Sequence, residues 1–127
     1  MEPVRLLVVE DEVLIHLSIE DALAEAGYEI VIAMNGKTAI AELDADAALF
    51  KGVITDIRLG SKETGWDVAR HARELAPEMP IIYMTGDSAH EWASQGVPNS
   101  IVIQKPFAMG QLVAGISNLL NAQPPVL

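Results

Sequence analysis

Apolar residues along this chain follow two alternating rhythms. Short unbroken runs, Leu6-Leu7-Val8-Val9, Val53-Ile54, Ile81-Ile82-Tyr83-Met84 and Ile101-Val102-Ile103, are separated by longer segments whose apolar positions recur every three or four residues. Runs without polar alternation suit strands covered on both faces, and the longer segments suit the helices that cover them. With residues 29–34 as a further strand, the alternation predicts five βα units around one parallel sheet.

The punctuation between the runs agrees with this reading. Residues 12–26 carry Ile15, Ile19, Ala22, Leu23 and Ala26 at helical spacing and stop at Gly27. Asn35 can cap a helix over 37–46 with Ala39, Ile40 and Leu43 inward, and Gly52 opens the third strand. A loop from Leu59 to Thr64 leads to a helix over 65–75 that offers Val68, Ala69, Ala72 and Leu75 to the core. Pro77 and Pro80 end that helix and restart the chain as a strand. Residues 88–95 make a short, weak helical pattern with Trp92, ending at Gly96, whereas 109–120 repeats Leu112, Val113, Ile116, Leu119 and Leu120 as a last amphipathic helix. Gln123-Pro124-Pro125 cannot continue it. The pattern gives one domain over residues 1–121 and a tail over 122–127, with Met1 and the closing prolines read as near-natural ends.

Composition narrows the field. A length of 127 residues, half of them hydrophobic, suits one domain with one ordinary core. The lack of cysteine excludes disulfides, thiolate metal sites and a cysteine nucleophile, and fits a reducing compartment. Neither a signal-peptide pattern nor an apolar run of bilayer length is present, so the expectation is a soluble cytoplasmic protein. A net charge of −10, from 18 acidic against 8 basic residues, argues against direct nucleic-acid binding and for a basic or apolar partner surface. Most of those acids read as a solvated surface.

The acids that need a special account stand where the apolar runs stop. The runs end in Glu10-Asp11, in Thr55-Asp56, in Thr85 and in Gln104-Lys105. In an open parallel sheet the carboxyl ends of the strands share one edge, where such folds bind their ligands. Three carboxylates, a hydroxyl and an ammonium meeting there suit a divalent cation plus a phosphoryl group. At about 4 Å and an effective dielectric near 20, two carboxylates repel by roughly 4 kcal/mol, so a cation relieves the pocket and its absence raises a pKa. A carboxylate such as Asp56 is also a competent nucleophile toward phosphorus, giving an acyl phosphate. Plainer roles exist for each: Asp56 as a cap or a partner of Lys105, Glu10 to Glu12 as acids favouring a helix N-terminus, Thr85 as a strand former.

Taken in this order, with Lys105 followed by Pro106-Phe107, these residues resemble the receiver domain of two-component response regulators over nearly the whole chain. The resemblance implies a flavodoxin-like (βα)5 α/β fold, a three-layer sandwich whose parallel sheet runs in the order 2-1-3-4-5. It implies that Asp56 accepts a phosphoryl group from a histidine kinase or phosphotransfer protein. Glu10, Asp11, Asp56 and the backbone carbonyl of Arg58 would hold Mg2+ with water, and Thr85 and Lys105 would contact the phosphoryl group. A cis Lys105-Pro106 bond would aim the lysine inward. Such a chain is a phosphoacceptor switch, with at most self-catalysed phosphotransfer and slow autodephosphorylation. Its output would be a changed affinity for a protein partner through the region from Ser88 to Leu120, and a homodimer is compatible with it. Neither a membrane nor nucleic acid enters directly.

The chain departs from the family at two places. Most receivers carry an aromatic residue three positions before the lysine, whose ring moves inward with the threonine; here it is Val102. The loop after Asp56 has Leu59-Gly60 in place of a Met-Pro pair, and Gly65 comes about one residue late, which predicts a more flexible loop. Arg58 and Asp87, each two residues beyond a site residue, are placed to pair across the site and slow loss of the phosphoryl group. His16, His71 and His90 share no spacing and read as surface residues, and Trp66 and Trp92 read as packed against the domain. Two other functions compete. An aspartyl-phosphate hydrolase of the haloacid dehalogenase type also places an aspartate after an apolar strand, but wants a second aspartate where this chain has Arg58. A phosphorylation-independent interaction module on the same scaffold would not need the full set of acids, Thr85 and Lys105.

Overall fold

The five apolar runs become five strands: β1 (Arg5–Val9), β2 (Glu29–Ala33), β3 (Gly52–Asp56), β4 (Ile81–Thr85) and β5 (Ile101–Gln104). Between and after them lie α1 (Val13–Glu25), α2 (Gly36–Asp46), α3 (Gly65–Leu75), α4 (Trp92–Gln95) and α5 (Met109–Asn121). The structure is a computed structural model and describes residues 3–122, so residues 123–127 of the expected tail lie outside the described residues. All strand pairs are parallel, in the order β2-β1-β3-β4-β5 that the resemblance implies.

Alternation along each strand divides the core into two layers. Leu6, Val8, Ile54, Ile82 and Met84 pack with Ile19 and Leu23 of α1 and Leu112 and Ile116 of α5. The neighbours between them, Leu7, Val9, Val53, Ile81 and Tyr83, pack with Ala39 and Leu43 of α2 and Val68, Ala69 and Ala72 of α3. Every residue of β3 and β4 is buried, which is why these runs show no polar alternation. Each fully buried Leu or Ile contributes roughly 1.5–3 kcal/mol of transfer free energy, so the central strands anchor the sheet.

The helix ends follow from local chemistry. Gly27 takes φ +98° just after α1, a conformation that L side chains rarely adopt. Asn35 accepts a hydrogen bond from the Thr38 amide at 2.8 Å and caps α2. Thr64 and Asp67 form a reciprocal capping box at α3, a Thr-x-x-Asp signal that stood in the sequence unread.

Four expectations need correction. β2 stops at Ala33, and Met34 lies half exposed beyond it. Leu75 is 46% exposed; Ala76, four residues after Ala72, continues the inward stripe instead. Ala26, expected on the inward face, falls just beyond α1 and is exposed. Residues 88–95 split into a 3-10 turn, Ala89–Glu91, and the single turn of α4.

Gly65 is required by close approach, since a Cβ there would collide with the carbonyl oxygen of Asp56 and lie 2.8 Å from the Ile57 Cα. Gly65→Ala is therefore expected to lower unfolding stability by about 1–3 kcal/mol in guanidinium titration. Unchanged stability would mean that the turn after β3 has slack.

Candidate functional site

Four strand ends build the site. Glu10 extends the β1–β2 ladder by one rung, its amide donating to the Ala33 carbonyl at 3.1 Å, and Lys105 does the same beyond β5, donating to the Thr85 carbonyl at 2.7 Å. These rungs hold the backbone on either side of Asp56, the last residue of β3, and Thr85, the last of β4. Asp56 is 7% exposed, while Glu10 and Thr85 are fully buried and Asp11 is exposed. The Lys105-Pro106 bond is cis, as the resemblance implies.

The Lys105 ammonium links two of the acids. Its Nζ donates to Glu10 Oε1 at 2.9 Å and to Asp56 Oδ2 at 3.0 Å. The other Glu10 oxygen accepts the Glu12 amide at 3.2 Å. One oxygen from each of Glu10, Asp11 and Asp56 lies within 4.8 Å of the others, so three carboxylates gather in a small volume where Lys105 pairs with two of them. Hard oxygen donors with excess negative charge fit a small divalent cation that keeps some of its water.

Burial pushes the Glu10 carboxyl up from 4.5 to about 7; the Lys105 hydrogen bond opposes the shift and repulsion from Asp56 adds to it. Burial by itself would lower the Lys105 pKa, but its bonds to Glu10 and Asp56 outweigh that and raise it.

Thr85 is held differently. Its Oγ1 accepts from the amides of Ser88 at 2.8 Å and Asp87 at 3.2 Å. A hydroxyl has two acceptor positions and one proton, so Thr85 has only donation left to offer another group. Beside it, Arg58 Nε donates to Asp87 Oδ1 at 3.1 Å and to Ser88 Oγ at 3.2 Å. The expected Arg58–Asp87 pair thus forms, with both side chains largely exposed. The Ser88 hydroxyl first, and then Arg58, hold the Asp87 carboxyl below its usual range.

Of the predicted set, Glu10, Asp11, Asp56 and Lys105 meet in one cluster, Thr85 ends the adjoining strand, and the Arg58 guanidinium turns to Asp87 and Ser88. Sequence reasoning missed two residues here. His16, expected at the surface, is buried with Nδ1 3.2 Å from the Glu10 carbonyl, and its place on the His16, Ile19, Leu23 stripe could have shown it. Ser88 is buried beside Thr85, with no sequence signal of its own. His71 is half-buried against Asp44 at 2.6 Å, and His90 is exposed. Trp66 is buried as expected, but Trp92 is 37% exposed with its indole N–H on Ser100. Among the described residues no helix is long and apolar enough to cross a membrane.

A family model described as the response regulator receiver domain matches residues 6–117. The chain is a response regulator receiver domain. This receiver superposes on a crystal structure of a response regulator receiver protein from Sinorhizobium medicae with TM-score 0.93 and 46% identity, covering 97% of this chain and 98% of that one. The receiver protein CpdR of Brucella abortus is 31% identical over 120 residues, 93% of this chain and 98% of CpdR. Response regulator MprA of Mycolicibacterium vanbaalenii is 30% identical over 125 residues, 97% of this chain and 53% of MprA. The chain spans about half the length of the first curated relatives it matches. The chemotaxis protein CheY4 of Vibrio cholerae, 24% identical with TM-score 0.82, shares the fold. Receivers are phosphoacceptor signalling domains and not enzymes in the ordinary sense.

The raised pKa of Glu10 has a definite sign. With no metal bound, the folded protein holds this proton more tightly than the unfolded chain, so the stabilisation is greatest below the ordinary pKa of 4.5 and is lost as pH rises to about 7. In chelator, the stability difference between wild type and Glu10→Gln is expected to fall across that window by at most ~1.4 kcal/mol per pH unit and to level off above it. A difference independent of pH would show that Glu10 ionises as it does in water.

Proposed function

We propose that this receiver is a cytoplasmic phosphorylation switch in which Asp56 takes a phosphoryl group from the phosphohistidine of a kinase or phosphotransfer protein. The observation that carries the reading is the shared contact of Lys105 with Glu10 and Asp56 inside the carboxylate cluster. Lys105 holds Asp56 Oδ2, which leaves Oδ1 as the attacking oxygen. As Oδ1 bonds to phosphorus, the P–N bond of the donor histidine breaks and an acyl phosphate forms. The Lys105 ammonium offsets charge on the phosphoryl oxygens, and the Thr85 hydroxyl donates its free proton to one of them. Glu10, Asp11, Asp56 and the Arg58 carbonyl would hold Mg2+, which neutralises charge on the transferring group.

The hydrolase alternative is weaker, because Arg58 stands where a second aspartate is needed and its side chain is tied to Asp87 and Ser88. The same tie supports a longer-lived phosphoryl group, by crowding the approach of water. A protein donor also suits the rim. Val13, Leu14 and Leu17 are exposed on the first turns of α1, directly after the acids, and Met34 is exposed just past the end of β2. A phosphohistidine that reaches Asp56 brings its carrier over this apolar margin, while the segment from Ser88 to Leu120 remains for a downstream partner.

With Mg2+ and acetyl phosphate, intact-mass measurement is expected to show one added phosphoryl group. Asp56→Asn and chelator should each abolish it, and Lys105→Ala should slow uptake by about 10²-fold or more. Equal uptake by Asp56→Asn would end the reading. Arg58→Ala and Asp87→Ala are each expected to shorten the phosphoryl half-life by less than about fivefold, the scale of an exposed ion pair. An unchanged half-life in both would remove the pair from the mechanism.

A further inference from the structure

The aromatic ring missing from β5 has a counterpart one strand away. Strand register sets Tyr83 of β4 opposite Val102, the position where an aromatic residue was expected. Tyr83 is fully buried, and its ring leans on Trp66 with centroids 4.6 Å apart and planes at 56°. Its hydroxyl accepts the amide of Val97 at 3.1 Å. Val97 lies in the loop between α4 and β5, a loop closed on itself: Ser100 Oγ donates to the Val97 carbonyl at 2.6 Å and accepts the Trp92 indole N–H at 3.0 Å. One interior hydroxyl therefore ties this loop to the sheet, while Arg73 of α3 holds its outer side through the Pro98 and Asn99 carbonyls.

Tyr83 and Thr85 stand two residues apart, on the same face of β4. We infer that Tyr83 is the positioning residue through which the state of Thr85 reaches residues 92–101, by its hydrogen bond to Val97 and its packing between Trp66 and Val102. The inference rests on the switch reading above. When the Thr85 hydroxyl turns to give its free proton to a phosphoryl oxygen, the Asp87 and Ser88 amides that it accepts are drawn with it, and the end of β4 shifts. A ring wedged between Trp66 and Val102 does not absorb that shift by swinging out to solvent. The directional bond to Val97 moves with it, and Ser100 and Trp92 follow.

Amide hydrogen exchange on wild type, Tyr83→Phe and Val102→Ala tests this, with and without Mg2+ and acetyl phosphate, alongside intact-mass measurement of phosphoryl uptake. Phe keeps the ring and removes only the acceptor. In wild type, phosphorylation is expected to change exchange across residues 92–101. In Tyr83→Phe the Val97 amide should exchange about tenfold faster at rest, and the response of 92–101 should vanish. Uptake of the phosphoryl group should continue at the wild-type rate. Val102→Ala loosens the same face without touching the hydroxyl and should keep the response. The inference is overturned if Tyr83→Phe responds as wild type does, if Val102→Ala loses the response as fully, or if phosphorylated wild type shows no change in 92–101. A wild type that takes up no phosphoryl group ends the switch reading first, and this inference with it.

Discussion

Two carboxylates from different strands, Glu10 and Asp56, are drawn to the same ammonium, and the rest of the site is arranged around that contact. Glu10 is fully buried, and Lys105 is the cation that its carboxylate meets there. Breaking a buried ion pair by removing one partner typically costs about 3–5 kcal/mol, because the remaining charge stays desolvated. Lys105 therefore does two jobs with one side chain. It neutralises the buried acids, and under the proposed function the same ammonium would meet the charge on the phosphoryl group.

The parallel sheet makes this possible. Strands that run the same way bring their carboxyl ends to one edge, and extra rungs at Glu10 and Lys105 carry the ladder into the site itself. The acids and the lysine thus ride on rigid backbone. The groups that could answer a change at Asp56 ride on loops: the Asp87 and Ser88 amides that hold Thr85, and the Arg58 side chain above them. Rigid elements set geometry while low-stability segments move, and here the boundary between the two falls at Thr85.

The matched relatives differ in length, and the solved receivers share this fold, so the side chains packed inside it are where this chain can differ from them. Val102 is such a difference. Its strand neighbour Tyr83 fills the space between β4, β5 and Trp66, and reaches the loop before β5 with its hydroxyl. A single-turn α4 leaves that loop held by side-chain bonds, from Trp92, Ser100 and Tyr83 and from Arg73 of α3 to the Pro98 and Asn99 carbonyls, where a longer helix would supply its own.

Much of this was legible in the order of residues. Apolar runs ending in Glu10-Asp11, Asp56, Thr85 and Lys105 determined the strands, their direction and the edge where chemistry gathers, because side-chain burial and helix punctuation by Gly27, Asn35 and Pro80 are local properties. Tertiary structure alone decided the rest. That His16 turns inward onto the Glu10 carbonyl, that Leu75 yields its place to Ala76, and that Tyr83 lies opposite Val102 depend on which strands and helices become neighbours. The raised pKa of Glu10 belongs with them, since it comes from desolvation by segments far apart in the chain. Periodicity tells a residue which way to face along its own element; what it meets there is set by contacts between elements, which no local pattern encodes.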